Sequence, residues 1–153
     1  MLEIVERIEE CADISSTLLT LPFEQRQKSR LRVTLDNGSE AALILERGAV
    51  LRHGDLLRAN DGQVIEIRAA SETISKVTES NAHLLLRACY HLGNRHVPLQ
   101  IGDGWLSYLR DHVLDDMIRS LGLSVVHKEA PFEPETGAYQ NDSRHQHTHS
   151  HGH

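Results

Sequence analysis

Histidine is the residue type that stands out in this chain of 153 residues, with 11 in all. Five of them alternate with other residues at the end of the sequence: His145, His147, His149, His151 and His153. In an extended chain, residues two apart face the same side, so all five imidazoles could line one face. Neutral imidazole suits Ni(II), Cu(II) and Zn(II), whereas Mg²⁺ and Ca²⁺ prefer oxygen ligands. The tail therefore predicts metal capture with little selectivity among the first three ions.

Two blander interpretations of the tail stay open. It could bind metal only incidentally, or it could be a purification tag, although tags are usually uninterrupted histidine runs and this tail alternates with Gln, Thr, Ser and Gly. From Tyr139 onward the sequence contains no Ile, Leu, Val, Met, Phe or Trp. Such a segment cannot bury enough apolar surface to offset its ordering entropy, so we expect residues 139–153 to be disordered without a ligand.

His96 is the first internal candidate for a metal ligand. It follows the tight turn Gly93-Asn94-Arg95 and precedes a predicted edge strand that contains Pro98. One imidazole cannot hold a metal strongly, and a surface histidine hydrogen-bonded within its loop is the simpler interpretation. A two-fold dimer would change this, because an isologous interface brings the same residue in twice. Two His96 imidazoles with tail histidines would then reach the ligand count that these ions require.

His112 is the second internal candidate. It shares a predicted helix face with Asp115 and Asp116, and a carboxylate one turn away could orient its imidazole. The alternative is a solvated helix face with a favourable His–Asp pair. We interpret two further histidines of the predicted helices as structural, and two that stand alone carry no argument: His83, His91, His53 and His127.

Composition and motifs exclude several classes of protein. Sixteen Lys plus Arg against 22 Asp plus Glu give a net charge of −6, so the chain lacks the general basic surface that is typical of nucleic-acid-binding proteins. No apolar run approaches the roughly 18–20 residues of a membrane span, and the acidic start lacks the basic region of a signal peptide. We therefore expect a soluble, cytoplasmic protein. No nucleophile-elbow, phosphate-loop or zinc-protease motif is present, which favours a non-catalytic role.

The elements that must position the histidines fall into two segments. Residues 1–73 contain short alternating runs separated by turn residues. The run from Leu31 to Leu35 precedes Asn37-Gly38, a pair that commonly closes a two-residue hairpin because it supplies positive φ cheaply. A second turn is predicted at Asn60-Asp61-Gly62. We predict a small all-β domain here, followed by a second domain over residues 74–138.

The second segment alternates strands with helices. One-sided apolar spacing predicts a first helix with a buried stripe formed by Ala82, Leu85, Leu86, Cys89 and Leu92. Gly93 is predicted to end this helix in a left-handed cap, and Cys89 is interpreted as inert core. Asp111 caps a predicted second helix, whose buried stripe is Val113, Leu114, Met117, Ile118 and Leu121. The predicted strands are Ile74–Thr78, His96–Ile101, Trp105–Leu109 and Leu123–His127. The order β-α-β-β-α-β is the ferredoxin-like arrangement, so the fold class is α+β.

Three blocks of sequence resemble the UreE family of urease accessory proteins, which are nickel metallochaperones. They are Cys89–Gln100 with Gly93-Asn94-Arg95-His96, Asp111–Met117, and Ala130–Tyr139 with Pro131-Phe132-Glu133-Pro134-Glu135. The blocks stand in the family's order and the resemblance spans most of the chain. It is weakest before about residue 70 and in the tail.

The resemblance implies an N-terminal β domain similar to the peptide-binding domain of Hsp40 chaperones and a ferredoxin-like metal-binding domain. It also implies a homodimer in which His96 of both subunits binds nickel. His112 matches a peripheral metal position of some members, but Arg110 stands where a second histidine can occur. The implied function is delivery of Ni(II) to apo-urease, together with urease accessory proteins that include a GTPase.

Two other functions stay open on the residues themselves. The protein could be a buffer for zinc, copper and nickel, because imidazole ligands do not by themselves select nickel over copper. It could also be a peptide-docking module whose metal binding is incidental. Nickel-dependent loss of urease activation on gene deletion would favour the chaperone, while binding of the urease complex by residues 1–73 alone would favour the docking module.

Overall fold

Two β-sheets that share no strand organise the chain. The computed structural model describes residues 1–9, 16–48 and 50–136. The first sheet contains β1 (Leu2–Ile8), β2 (Thr17–Leu21), β3 (Arg30–Thr34), β4 (Glu40–Ile44), β5 (Leu56–Ala59) and β6 (Val64–Ala69). Its strand order is β2-β6-β5-β1-β4-β3, and one helical turn, α1 (Phe23–Arg26), follows β2. The N-terminal part is therefore all-β apart from this turn, as predicted.

Long-range pairing holds the first sheet together. Strand β1 pairs in parallel with β4 and antiparallel with β5, while β2 pairs in parallel with β6. Side chains at alternating positions point into one apolar core, because successive residues of a strand face opposite sides. The largest fully buried members of this core are Ile4, Leu19, Leu35, Leu43, Leu51, Leu57, Ile65 and Ile67.

Both predicted hairpin turns exist. The loop at Asn37-Gly38 is one residue longer than the two-residue turn expected there, whereas the second loop consists of the three predicted residues, Asn60-Asp61-Gly62. The Leu35 N–H donates to the Ser39 carbonyl, and the Ala59 N–H donates to the Gln63 carbonyl, so three residues lie between the paired positions. The third loop residue is a glycine with φ near +90° in each case, Gly38 and Gly62. A turn followed by a left-handed residue is the usual three-residue solution, and glycine adopts it without a steric penalty.

The C-terminal part of the chain follows the predicted order of elements. These are β7 (Ser71–Thr78), α2 (Ala82–Asn94), β8 (Gln100–Gly102), β9 (Trp105–Leu109), α3 (His112–Ser120) and β10 (Val126–Pro131), and the four strands form the second sheet. The strand order is β10-β7-β9-β8, with every neighbouring pair antiparallel. Strand β8 begins at Gln100 and not at His96 as predicted, because the N–H groups of His96 and Val97 bond back to the last turn of α2 and Pro98 has no N–H to donate. The C-terminal part is α+β, as predicted.

The two longer helices pack their apolar faces on this second sheet. Their most buried apolar residues contact the inward side chains of β7 and β9; the shared core includes Val77, Ala88, Leu92, Leu106, Tyr108, Leu114 and Ile118. Three assignments to the buried stripes were wrong: Leu86 is 67% exposed, Val113 is 50% exposed, and Ala82 at the start of α2 is also exposed. Ala88 and Leu114 are buried instead. No helix among the described residues is long and apolar enough to cross a membrane.

A buried arginine joins the two sheets. The Arg26 side chain is completely shielded from solvent. Its guanidinium donates to the carbonyl oxygens of Leu21 and Leu51, at 3.0 and 3.1 Å, and to that of Phe132. It also donates to Oε1 of Glu133, at 2.7 Å. Burial lowers the pKa of Arg26, and the Glu133 carboxylate opposes this shift.

The residues that follow β10 therefore belong to both halves of the molecule. The Phe132 ring is fully buried and meets the Phe23 ring edge-on, with centroids 5.7 Å apart. The second carboxylate oxygen of Glu133 accepts the His53 N–H at 3.1 Å. A charged group removed from water is tolerated only when its partners are complete, so these contacts fix the two sheets relative to each other.

Gly102 gives a test of the packing at the turn between β8 and β9. A Cβ at this position would lie 2.2 Å from Cε2 of the Trp105 indole. We expect Gly102→Ala to lower the free energy of unfolding by about 1–3 kcal/mol, because the ring must move. Gly93→Ala is the matched control: a Cβ there meets nothing within 4 Å, and alanine is favoured inside a helix by about 0.5–1 kcal/mol. Equal urea-unfolding midpoints for the two variants would contradict this packing.

Candidate metal centre

His96 ends helix α2 in an unusual backbone conformation. Its φ is +61°, and it is the one non-glycine residue with positive φ among the described residues. The His96 N–H donates to the Gly93 carbonyl at 2.9 Å, and the Val97 N–H donates to the Leu92 carbonyl at 3.3 Å. These are the two hydrogen bonds of the Schellman motif. The cap predicted at Gly93 is wrong: Gly93 stays in the helix, and His96 takes the left-handed position three residues later.

This conformation is costly for histidine. A left-handed backbone destabilises an L-residue with a side chain by about 1–2 kcal/mol, which is why glycine usually occupies this position of the motif. Val97 packs with Leu92 in the C-terminal core, and that contact completes the cap. The imidazole is exposed, and it forms no hydrogen bond with any other residue that the structure describes. Its backbone is therefore fixed while its ring nitrogens are available, unlike the loop-bonded ring of the simpler interpretation.

His112 is placed on the surface without the partner that was predicted for it. It is the first residue of α3 and is exposed. The preceding Asp111 caps the helix by accepting the N–H groups of Val113 and Leu114. Asp116 pairs with Arg119 at 3.5 Å, and Asp115 is buried. The expectation that Asp115 shares a face with His112 is wrong, because the helix turns this carboxylate toward the sheet.

Asp115 instead forms a buried polar network with two residues of the sheet. The Tyr108 hydroxyl donates to Oδ1 of Asp115 at 2.7 Å, and Nε2 of His127 lies 2.7 Å from Oδ2. Burial alone would raise the pKa of Asp115, but the hydrogen bonds from Tyr108 and His127 outweigh it and lower the pKa. Burial and the adjacent carboxylate raise the pKa of Tyr108 well above its ordinary value. The network ties α3 to strand β10.

Sequence reasoning missed this network because its members come together only through strand pairing. Tyr108 and His127 both lie opposite Ser75 in the ladder β10-β7-β9. The available signal was an aspartate between Leu114 and Ile118, both of which are buried. A charge within an apolar stripe requires a buried partner.

The described part of one chain supplies separate imidazoles and not a complete site. Within residues 1–9, 16–48 and 50–136, no three His, Cys, Asp or Glu side chains are grouped so that they could hold a metal ion. The five tail histidines, His145 to His153, lie outside the described residues. Cys89 is half-buried, and burial raises the pKa of its thiol, which fits a core residue better than a ligand.

Large apolar side chains are exposed on the same helices that carry the candidate ligands. On α2, Leu86 is 67% exposed and Tyr90 is 68% exposed, and these residues are one turn apart on one face. On α3, Val113 is 50% exposed beside His112. A helix that buries one apolar face in its own core and leaves a second apolar face outside is typical of an interaction surface.

Models of known families divide the sequence into two parts. The model described as the N-terminal domain of the UreE urease accessory protein matches residues 2–70, and the model of its C-terminal domain matches residues 72–153. The chain belongs to the UreE family. This confirms the resemblance first drawn from the three sequence blocks. Membership also confirms the prediction that the protein is not an enzyme, because UreE proteins are accessory chaperones.

Similar proteins cover nearly the whole chain. The urease accessory protein UreE of Alkalilimnicola ehrlichii is 58% identical over 139 residues, which is 91% of this chain and 85% of that protein. The urease accessory protein UreE of Citrobacter koseri is 53% identical over 154 residues, which is 100% of this chain and 99% of that protein. The corresponding protein of Nitrosospira multiformis is 47% identical over 146 residues, covering 92% of this chain and 83% of its own length.

The buried Asp115 network predicts a specific pH dependence of stability. At pH 7 we expect Asp115→Asn to lower the free energy of unfolding by about 1–3 kcal/mol, because Tyr108 and His127 lose a charged acceptor. The folded pKa of Asp115 lies below its ordinary value of 3.8. The stabilisation is therefore complete above that value and is lost as pH falls through the folded pKa. Urea unfolding between pH 7 and pH 2 should show the difference from wild type shrinking in acid.

Asp116→Asn is the matched control for this series. Asp116 is exposed and pairs only with Arg119 at 3.5 Å, so its removal should leave stability within about 0.5 kcal/mol of wild type. A loss for Asp115→Asn that stays constant down to pH 2 would show that the carboxylate charge contributes nothing.

Proposed function

We propose that this member of the UreE family is a nickel metallochaperone that delivers Ni(II) to apo-urease during assembly of the metallocentre. Family membership supports a role in urease maturation, and the histidines supply the metal chemistry. The observation that carries the proposal is the position of His96. The fold places a residue with a side chain in a position that favours glycine, and the exposed imidazole has no hydrogen-bond partner among the described residues. Backbone strain of this kind clusters at functional sites, which supports a functional role for the His96 imidazole.

The proposed nickel site is completed by a second copy of the chain. One imidazole binds weakly, whereas a two-fold axis beside His96 would bring two together. The exposed face of α2 supports this arrangement, because Leu86 and Tyr90 lie on the helix that His96 terminates. Burying these side chains against their counterparts would remove them from water and bring the two helix ends together. The homodimer is therefore part of the proposed site.

The tail histidines and His112 serve as collecting ligands in this proposal. The tail residues His145, His147, His149, His151 and His153 gather Ni(II), and they also bind Zn(II) or Cu(II) with little discrimination. His112 adds a peripheral position, weakened by Arg110 where a second histidine would help. Open imidazole sites exchange ligands more easily than closed thiolate cages, which suits a protein that must release its ion.

Separate roles for the segments are part of the proposal. We infer an Hsp40-like peptide-binding domain over residues 1–73, a ferredoxin-like metal-binding domain over residues 74–138 and a histidine-rich tail over residues 139–153. The partners are the urease apoprotein and its accessory proteins, including the GTPase, in the cytoplasm. The order β10-β7-β9-β8, with helices α2 and α3 packed on the sheet, supports the second assignment.

The dimer can be tested at Tyr90. A charge placed on an apolar two-fold interface is buried twice, so we expect Tyr90→Glu to raise the dimer dissociation constant at least ~100-fold. Light scattering coupled to gel filtration measures the change, and Ni(II) titration should show loss of the tight ion in the same variant. Ser124→Glu places the same charge on an exposed loop of the same domain and should leave both measurements unchanged. A Tyr90→Glu protein that remains dimeric would place the interface elsewhere.

The His96 site can be separated from the fold by a glycine substitution. His96→Gly keeps the left-handed cap and removes the imidazole, so the free energy of unfolding should rise by about 0.5–1 kcal/mol while the tight Ni(II) ion is lost. Titration calorimetry should be run on the full chain and on a chain that ends at Asn141. We expect the shorter protein to bind about one tight Ni(II) ion per dimer, and to bind none after His96→Gly. His83→Ala, at an exposed position of α2, is the control. If truncation at Asn141 abolished all binding, the tail alone would be the site.

A further inference from the structure

The residues His96–Gln100, here called the His96 segment, join the end of helix α2 to strand β8. The N–H groups of its first two residues bond back to the last turn of the helix. Pro98 has no N–H to donate, and its ring restricts the backbone. Leu99 is buried, and Gln100 is the first residue of β8. The segment that carries the candidate metal ligand therefore follows a defined path from the helix to the sheet.

Two hydrogen bonds from the end of the second domain fasten the far end of the His96 segment. The Glu133 N–H donates to Oε1 of Gln100 at 2.9 Å, and the Glu135 N–H donates to the Leu99 carbonyl at 2.8 Å. Strand β8 has three residues, and among the described residues it pairs only with β9. A short edge strand is weakly held by its own ladder, so these two bonds contribute much of what fixes its start.

The N-terminal half of the molecule fixes the residue that supplies the first of these bonds. The Glu133 carboxylate accepts from the buried Arg26 at 2.7 Å and from the His53 N–H at 3.1 Å. Phe132 and Pro134, on either side of Glu133, are buried. A backbone N–H can position its acceptor only when its own place is fixed, and these contacts fix it. An unbroken series of contacts therefore leads from Arg26 through Glu133 and Gln100 to the His96 segment.

We propose that Gln100 is a positioning residue for the nickel site. Its side chain ties the His96 segment to the fixed backbone of Glu133, and so holds the His96 imidazole in the place where two subunits can share an ion. Gln100 acts through the backbone and does not itself bind the metal. The proposal rests on the proposed function, in which His96 of each subunit binds the same Ni(II).

The two-fold symmetry of the proposed site makes the effect of Gln100 measurable. A substitution enters the dimer twice, once on each side of the shared ion. Loss of one hydrogen bond shifts a conformational equilibrium several-fold, by about threefold or more. If each subunit then holds His96 correctly about one third of the time, both subunits do so in about one tenth of the dimers. The apparent affinity for the ion falls by that fraction.

The test replaces Gln100 with a side chain of similar length that has no oxygen. We expect Gln100→Met to raise the dissociation constant of the tight Ni(II) ion about tenfold, measured by competition with a chromophoric chelator. Gln100→Glu keeps an acceptor oxygen and should bind within about twofold of the parent protein. The parent is the full-length protein with its five tail histidines replaced by alanine, so that the tail does not compete for the ion. A merely structural role would lower the urea-unfolding midpoint of Gln100→Met and leave the dissociation constant unchanged.

Two further variants complete the test. Gln63→Met makes the same substitution at an exposed position of the first sheet and should leave the dissociation constant unchanged. Glu135→Pro deletes the N–H that binds the Leu99 carbonyl, and it should weaken binding in the same direction, including where Gln100→Met does not fold. Parental affinity in Glu135→Pro or in a folded Gln100→Met, or equal weakening in Gln100→Glu, overturns the positioning role. Failure of the proposed function has a different signature, since His96→Ala would then leave the tight ion in place.

Discussion

The molecule depends on one buried charge. A guanidinium removed from water destabilises a protein by several kcal/mol unless its donors are met, and the partners of Arg26 come from distant parts of the chain. Leu21 and Leu51 belong to the N-terminal half, while Phe132 and Glu133 follow the last strand of the C-terminal half. Satisfying this one side chain therefore requires both sheets to be formed and correctly placed. The relative position of the two sheets follows from that requirement.

A second constraint operates at the end of α2, where the backbone conformation and the residue type oppose each other. The Schellman motif favours glycine, yet the chain carries His96 there, so the fold gives up stability to hold an imidazole on the surface. Asp115 shows the opposite use of a polar residue. Its charge is buried and fully engaged by Tyr108 and His127, and it fastens α3 to the edge strand. The His96 ring is exposed and has no hydrogen-bond partner in the part of the chain that the structure describes, whereas the His127 ring is bound to the Asp115 carboxylate.

Much of the architecture could be predicted from local patterns. Alternation before residue 74 predicted the first sheet, and one-sided apolar spacing predicted α2 and α3, because these periods are set by the geometry of each element. The cap of α2 was misplaced because Gly93 has the residue type of a helix stop, whereas three further residues of the chain continue to bond to the last helical turn. The buried network was missed because Tyr108 and His127 meet only across paired strands. The Pro131–Glu135 block was visible as a motif, but Arg26, which binds Glu133, is 107 residues away, and no local pattern encodes that contact.

That separation has a consequence for the order in which the chain can fold as it is made. The parallel pairs β1–β4 and β2–β6 lie within the first 69 residues, so the first sheet can assemble early in synthesis. The carboxylate that pairs with Arg26 is synthesised 107 residues later. Until Glu133 arrives, the guanidinium must remain hydrated and the junction must stay open. The two halves therefore dock as the final step of folding, after each has formed its own core.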